Sequence, residues 1–226
     1  MARDEMRRRG LEFITPKYLR ALRKAHLFKG ANVGDRNKGW DVLRTIQFLE
    51  QNVEKTWPIL DVGAYGSEIL CGLHKLGFSD LTGMDLNPRV TAMPYAGSIR
   101  YQVGDFTNTR FASSAFCAVT AISVLEHGFN SSGFFREFAR ILKPGGYLLC
   151  SVDYWPEKID TSGIKAFGLD WMIFSRQDLL ELLEDAHRFN FVPVGPLNFQ
   201  ACERTANWCN RKYTYAWVAL QKTSNC

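Results

Sequence analysis

PILDVGAYGSEILCGLHKLGFSDLTGMD, residues 58–85, runs from a short apolar segment through a glycine-bearing turn and a helical pattern into a second apolar segment. The first segment, PILDVG (58–63), stops at Gly63, and the second, DLTGMD (80–85), stops at Asp85. Each strand candidate carries an aspartate where it ends, Asp61 and Asp85. A strand, a helix and a strand in this order read as a βαβ unit, because parallel neighbours need a crossover connection.

Working outward, the same alternation continues. SIRYQVG (98–104), AFCAVTAISV (115–124) and GYLLCSVD (146–153) are further strand candidates, and FVPVG and KYTYAWVALQK close the chain as strands. Asn87-Pro88 reads as a helix N-cap followed by proline at the first helical position. Ser175 and Asp178 have capping-box spacing at the start of SRQDLLELLEDAHRF. Upstream, residues 16–28 and 40–52 place apolar side chains at helical intervals, with GANVGDRNKG between them as a loop. The expected architecture is α/β: a mostly parallel sheet with helices on both faces. The 226 residues suit a single domain. Its expected parts are a helical cap over 1–56, a ligand-binding half over 57–152 and a substrate-side half over 153–226.

In an open parallel sheet, ligands collect beyond the carboxyl ends of the strands. Here those ends carry Asp61, Asp85, Asp105 and Glu126, at intervals of 24, 20 and 21 residues, each about one βα unit. Acids also favour helix N-termini, so one acid after one strand decides nothing. Four in register suggest a ligand read through hydroxyls and amines. Gly63 and Gly66 allow close backbone approach to it, and the helix start that follows offers unpaired N–H groups. Asp85 can accept two vicinal hydroxyls, as on a ribose. Asp105 can accept an exocyclic amine, with Phe106 beside it to pack on a ring.

ILDVGAYGS, LTGMDLNP, VGDF, AISVLEH and FARILKPGGYLL together resemble, in order and spacing, the motifs of class I S-adenosylmethionine-dependent methyltransferases, most closely the methyltransferase type 11 group. The resemblance runs from about Ile59 to Val152. It implies a Rossmann-like, seven-stranded sheet whose last strand, KYTYAWVAL, inserts antiparallel. It also implies S-adenosylmethionine as cofactor. The methionine end would lie near Asp61 and Gly63, the ribose on Asp85, and the adenine near Asp105 and Phe106. Tyr65, Gly66, Leu86, Ser123 and Glu126 complete the implied cofactor contacts. One departure stands out: where the family reads D-x-G-x-G-x-G, Tyr65 and Ser67 replace the second and third glycines. The tyrosine can crowd the methionine portion or point away from it.

Methyl transfer from a sulfonium is an in-line displacement that mainly needs an oriented acceptor. A hydroxyl acceptor also needs its proton removed. His127, directly after Glu126, is the candidate base, and simple packing beside the cofactor is its alternative role. Some relatives carry Glu-x-x-Glu-His here and use a metal; this chain has Ser123-Val-Leu-Glu126-His127 and lacks the first acid, so no metal is expected. The segment 153–174 is long and aromatic, as binding loops often are. Tyr154, Trp155 and Trp171 can wall a substrate or simply pack the segment onto the sheet. Trp40, with the N-terminal helices, is a candidate for closing the pocket from another side.

Composition narrows the classes. Hydrophobic content of 46% and charged content of 23% are those of an ordinary globular chain. No apolar run reaches the length of a membrane span, and the charged N-terminus lacks a signal-peptide pattern, so a cytoplasmic protein is expected. The six cysteines show no metal-ligand spacing and read as reduced core residues. Net charge is +5, concentrated in Arg3, Arg7, Arg8, Arg9, Lys17, Arg20, Arg23 and Lys24, which read best as a solvated, partly frayed arm.

A nicotinamide-binding Rossmann domain would want G-x-G-x-x-G, which GAYGSE does not supply. A nucleic-acid methyltransferase, the second alternative, would carry an Asn/Asp-Pro-Pro-aromatic signature, which is absent, or a Lys-Asp-Lys-Glu tetrad, of which there is no clear instance. A small-molecule or glycan acceptor, methylated on oxygen, is the expectation. A non-catalytic, methyltransferase-like binding or scaffold protein remains the alternative from another class.

Overall fold

The computed structural model describes residues 1–12, 38–128 and 130–224. The helix expected over 16–28, most of the loop after it, and the basic residues Lys17, Arg20, Arg23 and Lys24 lie outside the described residues. The chain forms two compact units, Met1–Asp105 and Phe106–Cys226.

In the first unit, α1 (Ala2–Arg8) and α2 (Gly39–Asn52) precede β1 (Ile59–Val62), α3 (Ile69–Lys75), β2 (Leu81–Asp85) and β3 (Arg100–Val103). β2 lies between β1 and β3 and pairs with both in parallel, with Asp61 opposite Gly83 and Met84 opposite Gln102. β1 is buried along its whole length, so it reads as a continuous apolar run rather than an alternating one. The Asn87-Pro88 signal starts a single 3-10 turn, Pro88–Ala92, capped by the Asn87 side chain, instead of a full α-helix. α2 presents Val42, Leu43, Ile46 and Leu49 to the core at three- and four-residue intervals.

The second unit is built on β4 (Phe116–Ile122), α4 (Ser131–Ile141), β5 (Leu142–Tyr154), α5 (Arg176–Arg188), β8 (Phe191–Pro193), β9 (Ala206–Trp208) and β10 (Arg211–Lys222). Between β5 and α5 a small antiparallel hairpin, β6 (Lys165–Ala166) and β7 (Leu169–Asp170), interrupts the long aromatic segment. β4 pairs with β5 in parallel, and β10 inserts antiparallel between β5 and β8. The antiparallel last strand is therefore where the family pattern puts it. The capping box of Ser175 and Asp178 forms as the sequence predicts.

α4 supplies much of this unit's core. Phe134, Phe135 and Phe138 are fully buried, with the Phe134 and Phe138 rings 4.3 Å apart edge to face. Its outer side is tied down by a small network. Arg140 grips Glu137 through Nε at 2.9 Å and Nη2 at 2.6 Å, Thr109 donates to the same carboxylate through its backbone N–H at 2.9 Å, and Arg140 Nη1 also donates to the Phe111 carbonyl at 2.7 Å. Burial alone would raise the Glu137 carboxyl, but the hydrogen bonds from Arg140 and Thr109 outweigh it and hold it below the ordinary glutamate range.

Two expectations need correcting. The basic start of the chain is not simply a solvated arm: Arg3 is buried on α1 and bound to Glu68. The described cysteines are free, but not all of them are core residues. Cys71, Cys117 and Cys150 are buried, whereas Cys202 and Cys209 are exposed. Burial, set against a hydrogen bond with Tyr101, pushes the Cys71 thiol up to about 12.

Candidate functional site

In the first unit the candidate residues converge at the carboxyl ends of β1, β2 and β3. Asp61 is buried within β1, and the chain leaves the strand through Gly63 at φ 71°. The turn is then tied to the neighbouring strand. Ala64 N–H donates to the Met84 carbonyl at 3.1 Å, and Tyr65 N–H donates to Asp85 Oδ2 at 2.9 Å. The other carboxylate oxygen, Oδ1, accepts the Asn87 N–H at 2.7 Å. Two backbone donors thus hold Asp85 in one orientation while it stays partly open. A carboxylate oxygen has two lone pairs, so each can still accept a hydroxyl. That is the donor–acceptor pattern a ribose requires.

The departure at Tyr65 and Ser67 has a conformational explanation. Positive φ occurs at Gly63 and at Gly66 (79°), and neither Tyr65 nor Ser67 adopts it. The backbone needs glycine only where the chain has it. The Tyr65 side chain packs against the cluster of Ala64, Cys71, Val90 and Met93. Beyond Asp85, Leu86 presents an apolar side chain that is 58% exposed, and Asp105 stands exposed after β3. A carboxylate ready for hydroxyls, an open apolar side chain and a second open acid fit a nucleoside.

In the second unit, Phe106 packs its ring against Phe134 and Phe138, with centroids 6.0 and 6.2 Å away. At the end of β4, Ser123 adopts φ 56°, a left-handed conformation unusual for a residue with a Cβ. Its N–H donates to the Ser151 carbonyl at 3.0 Å. Glu126 is buried and His127 half-buried. The chain beyond β7 closes over this corner: His127 bridges to Trp171, and Met172 N–H donates to the Glu126 carbonyl at 2.9 Å. Phe167, at the tip of the hairpin and 76% exposed, sets its ring edge to face with His127 at 5.3 Å.

The aromatic residues of 153–174 divide. Tyr154 and Trp171 are core: Tyr154 donates its hydroxyl to the Phe199 carbonyl at 2.5 Å, and Trp171 Nε1 donates to Asp153 Oδ2 at 2.8 Å. Trp155 is partly buried, with the Arg204 guanidinium 4.1 Å above its ring. The sequence reading missed two residues here. Asp153 is a fifth acid at a strand end, buried and hydrogen-bonded to Trp171 and Tyr213; the rule that found the other four applies to it equally. Burial, then the Asp153 charge, push the Tyr213 phenol up, so it stays a neutral donor. Phe167 carried no signal, since its exposure depends on the hairpin. Trp40 lies exposed on α2.

Among the described residues no group of three or more His, Cys, Asp or Glu side chains gathers as a metal site. No helix among them is long and apolar enough to cross a membrane.

Comparison with known proteins places these features. The family described as "Methyltransferase domain" matches residues 60–150, the stretch that carries Asp61, Asp85, Asp105 and Glu126. No curated protein sequence matches the chain. Among solved structures, an S-adenosylmethionine-dependent methyltransferase from Methanosarcina mazei aligns over 79% of this chain and 98% of its own, at 18% identity and TM-score 0.58. Geranyl diphosphate C-methyltransferase from Streptomyces coelicolor, solved with Mg2+, geranyl diphosphate and S-adenosyl-L-homocysteine, aligns over 80% of this chain and 79% of its own, at 17% identity and TM-score 0.57. The cyclase SpnF aligns over 80% and 82%, at 16% identity and TM-score 0.62. At these identities the likeness speaks for the fold, and a shared fold carries different chemistries.

Proposed function

We propose that this chain is a class I S-adenosylmethionine-dependent methyltransferase that methylates an oxygen atom of a small-molecule or glycan acceptor. The observation that carries this reading is the corner at the end of β4, where the half-buried imidazole of His127 follows the buried Glu126 and meets the exposed ring of Phe167. A hydroxyl is a poor nucleophile until its proton is taken, and a neutral imidazole nitrogen can accept it.

S-adenosylmethionine supplies an electrophilic methyl group on its sulfonium. The residues around it have separable tasks in this reading. Asp85 accepts the ribose hydroxyls, Leu86 packs beside the adenine, and Asp105 accepts its amine. Asp61 and the turn of Gly63, Tyr65 and Gly66 hold the methionine end, which carries an ammonium group that a buried aspartate suits. His127 accepts the acceptor's proton, and the aromatic side chain of Phe167 shields that corner from water.

The test is to incubate the protein with methyl-labelled S-adenosylmethionine and a panel of sugars and phenols, and to locate the label by mass spectrometry. An O-methyl product is expected. His127→Gln is expected to lower kcat by about 10²–10⁴-fold while leaving the dissociation constant for S-adenosylhomocysteine unchanged. A product labelled on nitrogen or carbon would overturn the oxygen assignment, and full turnover by the variant would overturn the role of His127 as base.

A further inference from the structure

A buried ion pair holds Glu68, two residues after Gly66 in the turn that bears Gly63 and Gly66. Arg3 on α1 donates from Nη1 to Glu68 Oε1 at 2.8 Å, and from Nη2 to Glu68 Oε2. Both residues are almost fully enclosed, 5% and 4% exposed. Taking two charges out of water is costly, and a hydrophobic pair of the same volume commonly serves stability as well. A role in fixing geometry is the more economical account.

The surroundings are shaped for this contact. A Cβ at Gly39, the first residue of α2, would lie 2.8 Å from both Cγ and Nε of Arg3, so the arginine stem passes where only glycine leaves room. Glu68 is the N-cap residue of α3, yet its side chain makes no capping hydrogen bond. It is turned to Arg3 instead. Its own carbonyl accepts the Gly72 N–H at 3.0 Å, which joins it to the first turn of the helix. The turn is therefore held on one side by the Ala64, Tyr65 and Gly66 N–H groups, which donate to the Met84 carbonyl, Asp85 and Met93 Sδ, and at its far end by the Glu68 carboxylate on Arg3. Ser67 lies between them.

We propose that Arg3 and Glu68 are positioning residues for the cofactor, setting the 63–68 turn in the conformation that receives the methionine end of S-adenosylmethionine. The inference rests on the cofactor reading given above. α1 and the residues just after it have other anchors, with Met6 and Leu11 buried and Arg9 paired to Glu50 at 2.7 Å, so the helix is expected to stay docked when Arg3 is replaced.

The test compares two ligands by calorimetry on the full chain: S-adenosylhomocysteine, and 5′-methylthioadenosine, which keeps the nucleoside and sulfur but lacks the amino-acid end. Arg3→Met and Glu68→Gln are each expected to raise the dissociation constant for S-adenosylhomocysteine at least tenfold and to leave that for 5′-methylthioadenosine within twofold. Arg3→Lys is expected to recover most of the loss. The double variant Arg3→Met/Glu68→Met leaves no lone buried charge, so it folds even where a single variant does not, and it is expected to show the same selective loss. Equal weakening of both ligands, or unchanged S-adenosylhomocysteine binding in the folded variants, would overturn the proposal. A folded wild type that binds neither ligand would instead overturn the cofactor reading itself.

Discussion

Tyr65 stands where the family has glycine, and the structure separates what its backbone does from what its side chain does. The N–H reaches Asp85, while the ring joins the cluster of Ala64, Cys71, Val90 and Met93. Since φ at this position is not positive, glycine has nothing to relieve. Tyr65→Gly is therefore expected to cost stability, about 1–3 kcal/mol for a half-buried aromatic, and to improve S-adenosylmethionine affinity by no more than threefold. Denaturant unfolding and calorimetry read the two effects separately. A gain in affinity of tenfold or more would mean that the ring does obstruct the methionine end.

At the scale of elements, α4 is fixed both by its phenylalanines and by the Glu137–Arg140–Thr109 network. Because the folded Glu137 carboxyl titrates below its ordinary value near 4.5, the network's contribution is full above that value and is lost as pH falls through the folded one. Glu137→Gln is expected to unfold about 1.5–3 kcal/mol more easily at neutral pH. The gap from wild type should narrow below about pH 4, as followed by urea denaturation across pH; a gap that widened in acid would reverse the sign assigned to Glu137. Elements were the scale most legible in the sequence. Strands 58–63 and 80–85 were marked by apolar runs, the start of α5 by Ser175 and Asp178, and the antiparallel β10 by family likeness. The β6–β7 hairpin escaped because two-residue strands leave no periodic trace. The Arg3–Glu68 pair escaped because nothing local links residues 65 positions apart. The place of Asp85 at a strand end was legible from the alternation of segments; its two N–H partners were not, since they depend on how the turn folds back.

For the whole molecule, the natural observable is linkage between cofactor and folding. A ligand that binds only the native state stabilises it by about 2.7 kcal/mol at a hundred times its dissociation constant. For a chain of 226 residues this corresponds to a rise in Tm of about 5–10 °C. Saturating S-adenosylhomocysteine is expected to produce that rise in a differential scanning experiment, and an unchanged Tm would argue that the folded chain does not take the nucleoside. Fold likeness alone cannot stand in for this result, since a cyclase and a C-methyltransferase share the architecture.

The most direct measurement is calorimetric titration of the wild-type chain and Asp85→Ala with S-adenosylmethionine. In the proposed site Asp85 accepts both ribose hydroxyls, and hydrogen bonds to a charged acceptor contribute about 1.5–3 kcal/mol each. The account predicts one-to-one binding by the wild type and a loss of at least about 100-fold in the variant. A folded wild type that gives no binding heat and no competition with S-adenosylhomocysteine, or a variant that binds as tightly as wild type, would contradict it.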